Sequence, residues 1–525
     1  MTLFDRLSLL AVVAVAALLR IPGIEARGQF DADQGHDMAT LVAFTRDGVV
    51  PLLGPRTSVG EFHHGAFYYF LLAPASAISG GDPVAVTLFI ALLGIAAVAL
   101  TWWLGLSIGG RVAGPVAGLV AGTLLAVSPG AIEESTFIWN PNPIGFFAVL
   151  SIAAAWKAWR SGRSGWWALA IASAGAVTQL HVLGLVFLIA MLGIGLIELR
   201  RDRGVAAGLL TGLLIVALLF LPLLLFELQS GFSETRAVVA YLSSDTGALG
   251  DPIGALALTM LRVVGWPIVG LVTDVPLLAG VVLAVTVGVV VLGLRMAGGA
   301  QATGLRWLVG ILVFSTIALA FAAPSLQRVV AGLPNDHYHA FLDPIVVLLL
   351  AIPAGHAFSR ASVTWREQRR PLALVALLVV GVGVASLELT ALSRKPAHVD
   401  PNGGWPAAQA AGERIVAVTG GGTVWLTGLP NFKLTDGIGF PIDHAGGQVG
   451  FLVDPMGYPD IGMPTVVVCD RLFEGPIGMA CGGPAEDAFV ATLAEQGTGP
   501  DATPPALVDR FDVSPGGRTS VSIYR

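Results

Sequence analysis

Three aspartates and a histidine crowd into the end of Arg27-Gly28-Gln29-Phe30-Asp31-Ala32-Asp33-Gln34-Gly35-His36-Asp37, in a chain where charged residues make up only 12% of the composition. The pattern from Ala32 to Asp47 predicts a short helix closed by Gly48 as its C-terminal cap. Asp31 or Asp33 then falls at the helix N-terminus, and Asp33 and Asp37 share one face at i, i+4. Taken singly, one aspartate is an N-cap and the others are solvated loop charges. Taken together, with Glu61, His63 and His64 following in the same loop, they read as a site. The remaining polar candidates are Arg56, Trp139-Asn140-Pro141-Asn142-Pro143, Gln179-Leu180-His181, and Arg328 with Asn335-Asp336-His337-Tyr338-His339. Converging on one cavity, these residues would supply bases, cations and hydrogen-bond donors.

The elements that must position them are membrane helices. Hydrophobic residues are 55% of the chain and mean hydropathy is +0.78, well above a soluble domain. Apolar runs of about 18 residues or more recur, each long enough to cross a bilayer. Spans are expected at 7–24, 84–106, 112–129, 141–157, 166–178, 180–198, 205–226, 277–295, 307–323, 340–358 and 371–391, about eleven in all. The first is long and lacks a small-residue cleavage site, which favours a retained span over a signal peptide. Residues 166–199 are too long for one straight span, so a tight hairpin is expected to turn near Gln179–His181. Arg111, Lys157/Arg160/Arg163, Arg200/Arg201/Arg203, Arg295/Arg306 and Arg360–Arg370 fall on one side, which the positive-inside rule makes cytoplasmic. The N-terminus is then inside, and the acidic first loop faces outward in the cytoplasmic membrane.

Two long outer loops follow from this topology, 25–83 and 227–276. Residues 67–74 are too short to span and rich in aromatics, as expected at an interface. Ile253 to Val264 is expected to pack on the membrane surface, with a further span at 255–272 as the alternative. Beyond Leu392 glycine and proline become dense and short β-rich segments appear at 423–426, 465–469, 507–513 and 520–524. A helix is expected over 484–496 and a hairpin turn at 514–517. The chain therefore divides into a membrane domain, 1–392, and a small outer α/β domain, 393–525, a usual domain size. Cys469 and Cys481, the only cysteines, are bridged if the domain is outside, or two buried thiols if it is not. The sequence contains no phosphate loop, strand–GxGxxG–helix unit, serine elbow or HExxH motif, so nucleotide binding has no support. The basic residues are scattered, which argues against a nucleic-acid partner. The outward polar loops beside a bilayer suit a substrate with a lipid tail and a phosphate-linked polar head.

At these residues the chain resembles a known family. The acidic Asp-Gln loop is followed by Pro51-Leu52-Leu53-Gly54-Pro55-Arg56-Thr57-Ser58-Val59-Gly60, His64-Gly65-Ala66-Phe67-Tyr68-Tyr69, Phe137-Ile138-Trp139-Asn140-Pro141-Asn142 and Gln179-Leu180-His181. This order resembles the protein O-mannosyltransferase/aminoarabinose-transferase-like superfamily of membrane glycosyltransferases, of glycosyltransferase family 39 type. The resemblance covers roughly residues 5–230, and later spans match only by pattern. It implies the GT-C fold, a polyprenyl-phosphate sugar donor, a glycan, protein or lipid acceptor, and action on the outer face of a bacterial membrane. It places the catalytic aspartate at Asp33, with Asp31 and Asp37 as the other candidates. The family often has Glu after this aspartate; here Gln34 removes the second carboxylate. Substrate-binding candidates are Arg56, His63, His64, Asn140, Asn142, His181, Arg328 and His337. Some members place an acidic metal ligand later in the loop, which makes Glu61 the candidate for a divalent ion. The implied chemistry is inverting transfer with Asp33 as general base and Arg56, His63 and Arg328 on the leaving phosphate. A transporter or flippase is the rival reading, but its site should lie at the midplane of repeated halves, and no such repeat is visible.

Overall fold

The computed structural model describes residues 1–57, 60–243, 251–270, 275–323, 326, 336–368, 386, 400, 402–430, 433–451, 463–478, 480–498 and 504–525. The protein is a mainly helical membrane protein with a small C-terminal sheet domain.

Ten of the predicted spans lie on helices. These are Leu3–Arg20, Pro83–Val127 (which carries two), Ile144–Ser161, Ser164–Leu180, Gly184–Leu199, Gly204–Leu219 with Leu221–Ser230, Pro276–Met296, Gly299–Ala322 and Asp343–Gln368. The eleventh, 371–391, lies outside the described residues apart from Ser386. Five described helices are long and apolar enough to cross a membrane, and the pair bent by 45° at Phe220 makes a sixth if counted as one span.

Pro83–Val127 folds back at Gly110, whose φ of +70° and ψ of −162° only glycine adopts readily. Its two arms meet along small residues. A Cβ at Gly114 would stand 2.3 Å from the Leu106 carbonyl oxygen, so bulkier residues would force the arms apart. The buried Arg20 closes the end of this hairpin, donating to the carbonyls of Ala126 at 2.9 Å and Leu125 at 3.3 Å. It thereby satisfies carbonyls that a helix end leaves without partners. The hairpin expected near Gln179–His181 is present: His181 ends one helix in extended geometry and Gly184 begins the next.

The stretch weighed between a surface loop and a span is an 18-residue helix, Pro252–Val269, capped by Asp251. It packs against Pro276–Met296, Gly299–Ala322 and Asp343–Gln368, and it has the length and hydropathy to cross a membrane. It is a regular helix and not a loop, packed on one side against its three neighbours. The aromatic segment becomes a 13-residue helix, Phe67–Ser79, with Tyr68, Tyr69 and Leu72 buried inward.

The C-terminal domain holds one five-stranded sheet. Its strands are β1 (Thr423–Leu429), β2 (Gln448–Phe451), β3 (Thr465–Asp470), β4 (Leu507–Asp512) and β5 (Thr519–Tyr524), in the order β2-β1-β3-β5-β4. The first three are parallel, and β4 and β5 form the predicted hairpin. The predicted helix is present as Pro484–Thr498, and Cys469 is bridged to Cys481. β2 was not predicted, because four residues containing a glycine carry little alternation. The helices Gly404–Thr419 and Asp436–His444 were also not predicted.

Asp436–His444 docks on Ala32–Asp47 through two glycines. A Cβ on Gly35 would lie 2.1 Å from the Asp436 carbonyl oxygen, and one on Gly437 would lie 2.7 Å from the Asp31 carbonyl carbon. The two backbones therefore touch, and Phe30 packs against Trp405 beside them with ring centroids 4.8 Å apart.

Candidate active site

The helix expected from the acidic loop runs from Ala32 to Asp47 and ends at Gly48. Asp31 is its N-cap: the carboxylate accepts from the Ala32 N–H at 2.8 Å, and Gln34 returns a bond to the Asp31 backbone. Gln34, the residue that departs from the family pattern, thus completes a capping box and is buried, donating to the Ile138 carbonyl at 2.9 Å. The other oxygen of Asp31 binds Lys433 Nζ at 3.1 Å. Asp31, expected as a third candidate base, does not line the cavity; its two oxygens cap the helix and hold the C-terminal domain.

Asp33 and Asp37 do line it. They lie one turn apart on a cavity of about 240 Å³ whose other walls include His36, Arg56, His63, His64, Trp139, Asn140, His181, His337 and Leu434. Asp37 is buried and accepts the Tyr69 hydroxyl at 2.8 Å. Burial pushes its carboxyl up to about 7, against the bond from Tyr69. Asp33 meets solvent through the cavity, yet the surrounding protein and the neighbouring Asp31 raise its pKa, while Lys433 and His36 pull the other way. Position at a helix N-terminus alone favours the ionised form; at Asp33 crowding outweighs it.

The remaining walls are tied to one another by backbone and side-chain bonds. Residues 54–57 and 62–64 form a small antiparallel hairpin, with the Gly54 N–H bonded to the His64 carbonyl and the His64 N–H to the Pro55 carbonyl. Gly65 fixes this hairpin to the 179–181 turn: its N–H bonds the Gln179 carbonyl at 3.1 Å, and a side chain there would collide with Gln179. Asn140 donates to the Leu180 carbonyl at 2.6 Å, joining the Trp139 loop to the same turn. The 3-10 segment Asp336–Leu342 brings in His337. It is anchored by the buried Arg262, which grips Asp336 with two bonds of 2.9 and 2.8 Å.

These anchors bring three imidazoles together. His64 and His181 stand 4.9 Å apart, His181 and His337 5.7 Å, and Trp139 covers His337 at 4.3 Å. Burial lowers His64 to about 4 and His181 well below its ordinary range, so both rings are neutral at physiological pH. His63 instead faces Glu234, ring nitrogen to carboxylate 3.1 Å.

A family model described as dolichyl-phosphate-mannose-protein mannosyltransferase matches residues 52–233, which include the hairpin, the Trp139 loop and the His181 turn. No curated protein sequence matches the chain significantly. Among solved structures, ArnT from Cupriavidus metallidurans bound to undecaprenyl phosphate aligns with a TM-score of 0.57 at 13% identity, covering 98% of this chain and 97% of that one. The Archaeoglobus fulgidus oligosaccharyltransferase tethered to an acceptor peptide aligns at 0.53 and 10% identity, covering 95% and 71%. The chain shares the GT-C membrane fold of these proteins.

Within this GT-C site, eight of the expected residues converge: Asp33, Asp37, Arg56, His63, His64, Asn140, His181 and His337. Asn142 does not line the cavity; its amide donates to the Phe137 carbonyl at 2.7 Å and shapes the loop. Arg328 lies outside the described residues. Glu61 is largely exposed and pairs with Arg56 at the rim. Among the described residues no three His, Cys, Asp or Glu side chains gather as metal ligands, so Glu61 does not sit in a donor set that fits a divalent ion. His36, counted in the acidic cluster but given no role, pairs with Asp436 at 3.7 Å, and sequence reasoning missed Leu434, which projects from the C-terminal domain into the cavity wall. Leu434 has no local signal, and the partner of His36 depends on how the two domains dock.

Proposed function

We propose that the protein transfers a sugar from a polyprenyl-phosphate donor to an acceptor hydroxyl, with inversion, on the extracytoplasmic face of the cytoplasmic membrane. The observation that carries this is the meeting of Asp33 with Arg56 on one cavity at the end of a GT-C helical bundle. The capture of undecaprenyl phosphate by a protein of the same fold supports the lipid-phosphate donor. Asp33 accepts the proton of the acceptor hydroxyl as that oxygen attacks the anomeric carbon. The bond from that carbon to the phosphate oxygen breaks, and polyprenyl phosphate leaves. A single displacement inverts the centre. Arg56 stabilises the charge collecting on the phosphate. The phosphoester of the lipid supplies the activation, so no nucleotide is needed. The bridged Cys469 and Cys481 support an oxidising, extracytoplasmic setting for the C-terminal domain.

The test is turnover. The full chain in nanodiscs is supplied with undecaprenyl-phosphate sugars and an envelope extract as acceptor, and released lipid phosphate is measured. Asp33→Asn should lower transfer about 10²–10⁴-fold, the usual worth of a general base, with donor binding retained. Asp31→Asn should act through stability alone. An Asp33→Asn protein that transfers at near wild-type rate sinks the assignment.

A further inference from the structure

The carboxyl end of the C-terminal sheet holds a carboxylate from the membrane domain. In open α/β sheets the binding crevice lies outside the carboxyl ends of two parallel neighbours whose connections leave in opposite directions. Here β1 and β3 are such neighbours, with Leu429 opposite Cys469; β1 leads to β2 on one side and β3 to β4 and β5 on the other. Lys433 follows β1 into this crevice, and Asp470 closes β3 beside it. The occupant is the start of the helix that carries Asp33. Asp31 lies 3.1 Å from Lys433 Nζ, and the same ammonium is 3.3 Å from Asp470.

Both ends of this clasp are held by further bonds. The Lys433 N–H bonds the Pro430 carbonyl at 2.9 Å, and a Cβ on Gly428 would stand 2.4 Å from the Lys433 carbonyl oxygen. Asp470 is buried and takes two bonds from Arg518, of 2.6 and 2.5 Å. The Lys433 side chain is only 18% exposed, so salt screens its charge little. Among the described residues Asp33 faces Asp31, His36 and Asp37 on its own helix, Tyr68 and Tyr69 on Phe67–Ser79, and Lys433 and Asp436 on the C-terminal domain. Arg56, His63, His64, His181 and His337 line the same cavity, as does Leu434, the residue after Lys433. Asp31 raises the pKa of Asp33, and Lys433 lowers it.

We propose that Lys433 is a positioning residue for the base: clasped between Asp470 and Asp31, it holds the start of the catalytic helix and offsets the Asp31 charge beside Asp33. The C-terminal domain thereby completes the active site from a residue 402 positions along the chain from the cap it holds. Lys433 acts through Asp31 and Asp33 and not on the substrate. Without that cation the Asp31 carboxylate repels a charge on Asp33 with less opposition, and the base keeps its proton to higher pH. This inference rests on the transferase reading above and adds to it the residue that sets the working range of its base.

The experiment reads kcat/KM for the donor against pH, from released lipid phosphate. It uses the full chain in nanodiscs, with undecaprenyl-phosphate sugars as donors and an envelope extract as acceptor. The acidic limb of the profile reports the base of the free enzyme. In Lys433→Met that limb should move to higher pH by at least about half a unit, about threefold in rate on the limb. Lys433→Arg keeps the charge and should keep the limb. Arg518→Met is the control for docking, because it loosens Asp470 and leaves the ammonium beside Asp31; its limb should stay at the wild-type position. Melting curves check that each variant folds, and Lys433→Gln carries the measurement if Lys433→Met does not fold. A limb unmoved in the neutral variant overturns the role. So does an equal shift in Arg518→Met, which would make loosened docking the cause. Either result leaves the transferase reading standing. A wild-type chain that releases no lipid phosphate from any donor overturns both.

Discussion

Replacing Asp37 by asparagine should stabilise the protein, and more so at high pH. The buried carboxyl is held at about 7 against an ordinary 3.8, and burial is the leading cause. A shift of about three units at 1.36 kcal/mol each makes the ionised carboxylate about 4 kcal/mol more costly in the folded chain than in the unfolded one. The sign follows from proton binding. Between pH 4 and 7 the folded state holds the proton that the unfolded state has released, so stability falls as pH rises through that window. The penalty is then about 2 kcal/mol at pH 5 and about 4 at pH 8, a loss of about 2–3 kcal/mol from this one group. Asparagine keeps an oxygen to accept the Tyr69 hydroxyl and cannot ionise. Melting midpoints of wild type and Asp37→Asn, taken at pH 5 and pH 8 with one heating rate, should diverge at pH 8 with the variant higher. An equal offset at the two pH values, or a variant that melts lower at pH 8, would refute the reasoning. The divergence has a chemical meaning. Near and below pH 7 Asp37 carries a proton much of the time, which relieves its repulsion of Asp33 and separates the two carboxyls into a neutral partner and a base.

Two further predictions concern the supports of the site. Arg262→Met leaves Asp336 buried without its bidentate partner and should cost about 3–5 kcal/mol, whereas Arg262→Met with Asp336→Leu should recover most of that; a single variant that melts like wild type would deny the 336–342 segment this anchor. Reduction should expose two alkylatable thiols, at Cys469 and Cys481, that native protein does not show. Opening a loop with a sequence separation of 12 should cost the C-terminal domain about 3 kcal/mol, read as an earlier proteolytic cut in that domain after reduction; unchanged cutting would deny it.

What the sequence disclosed about this molecule divides by the distance over which the deciding force acts. Hydrophobic runs and turn chemistry are local, so the helices, the Gly48 cap, the turn at His181 and the 514–517 hairpin were legible. The i, i+4 spacing of Asp33 and Asp37 assigns both to one helical face, and both line the cavity. The choice among three aspartates was not legible. The capping box with Gln34 was available to read at Asp31, but the partner that completes its role, Lys433, is 402 residues away. The start of the helix Pro252–Val269 was legible too, since Asp251 and Pro252 are a cap and a first-turn proline. The C-terminal domain was legible as a small α/β unit, but its docking against the acidic helix was not. Gly35 and Gly437 let two helix backbones touch, and that contact sets His36 against Asp436 and Leu434 over the cavity. A pair of glycines has no partner written into its own sequence, so a wall of the site built from their meeting becomes visible only once both domains are folded.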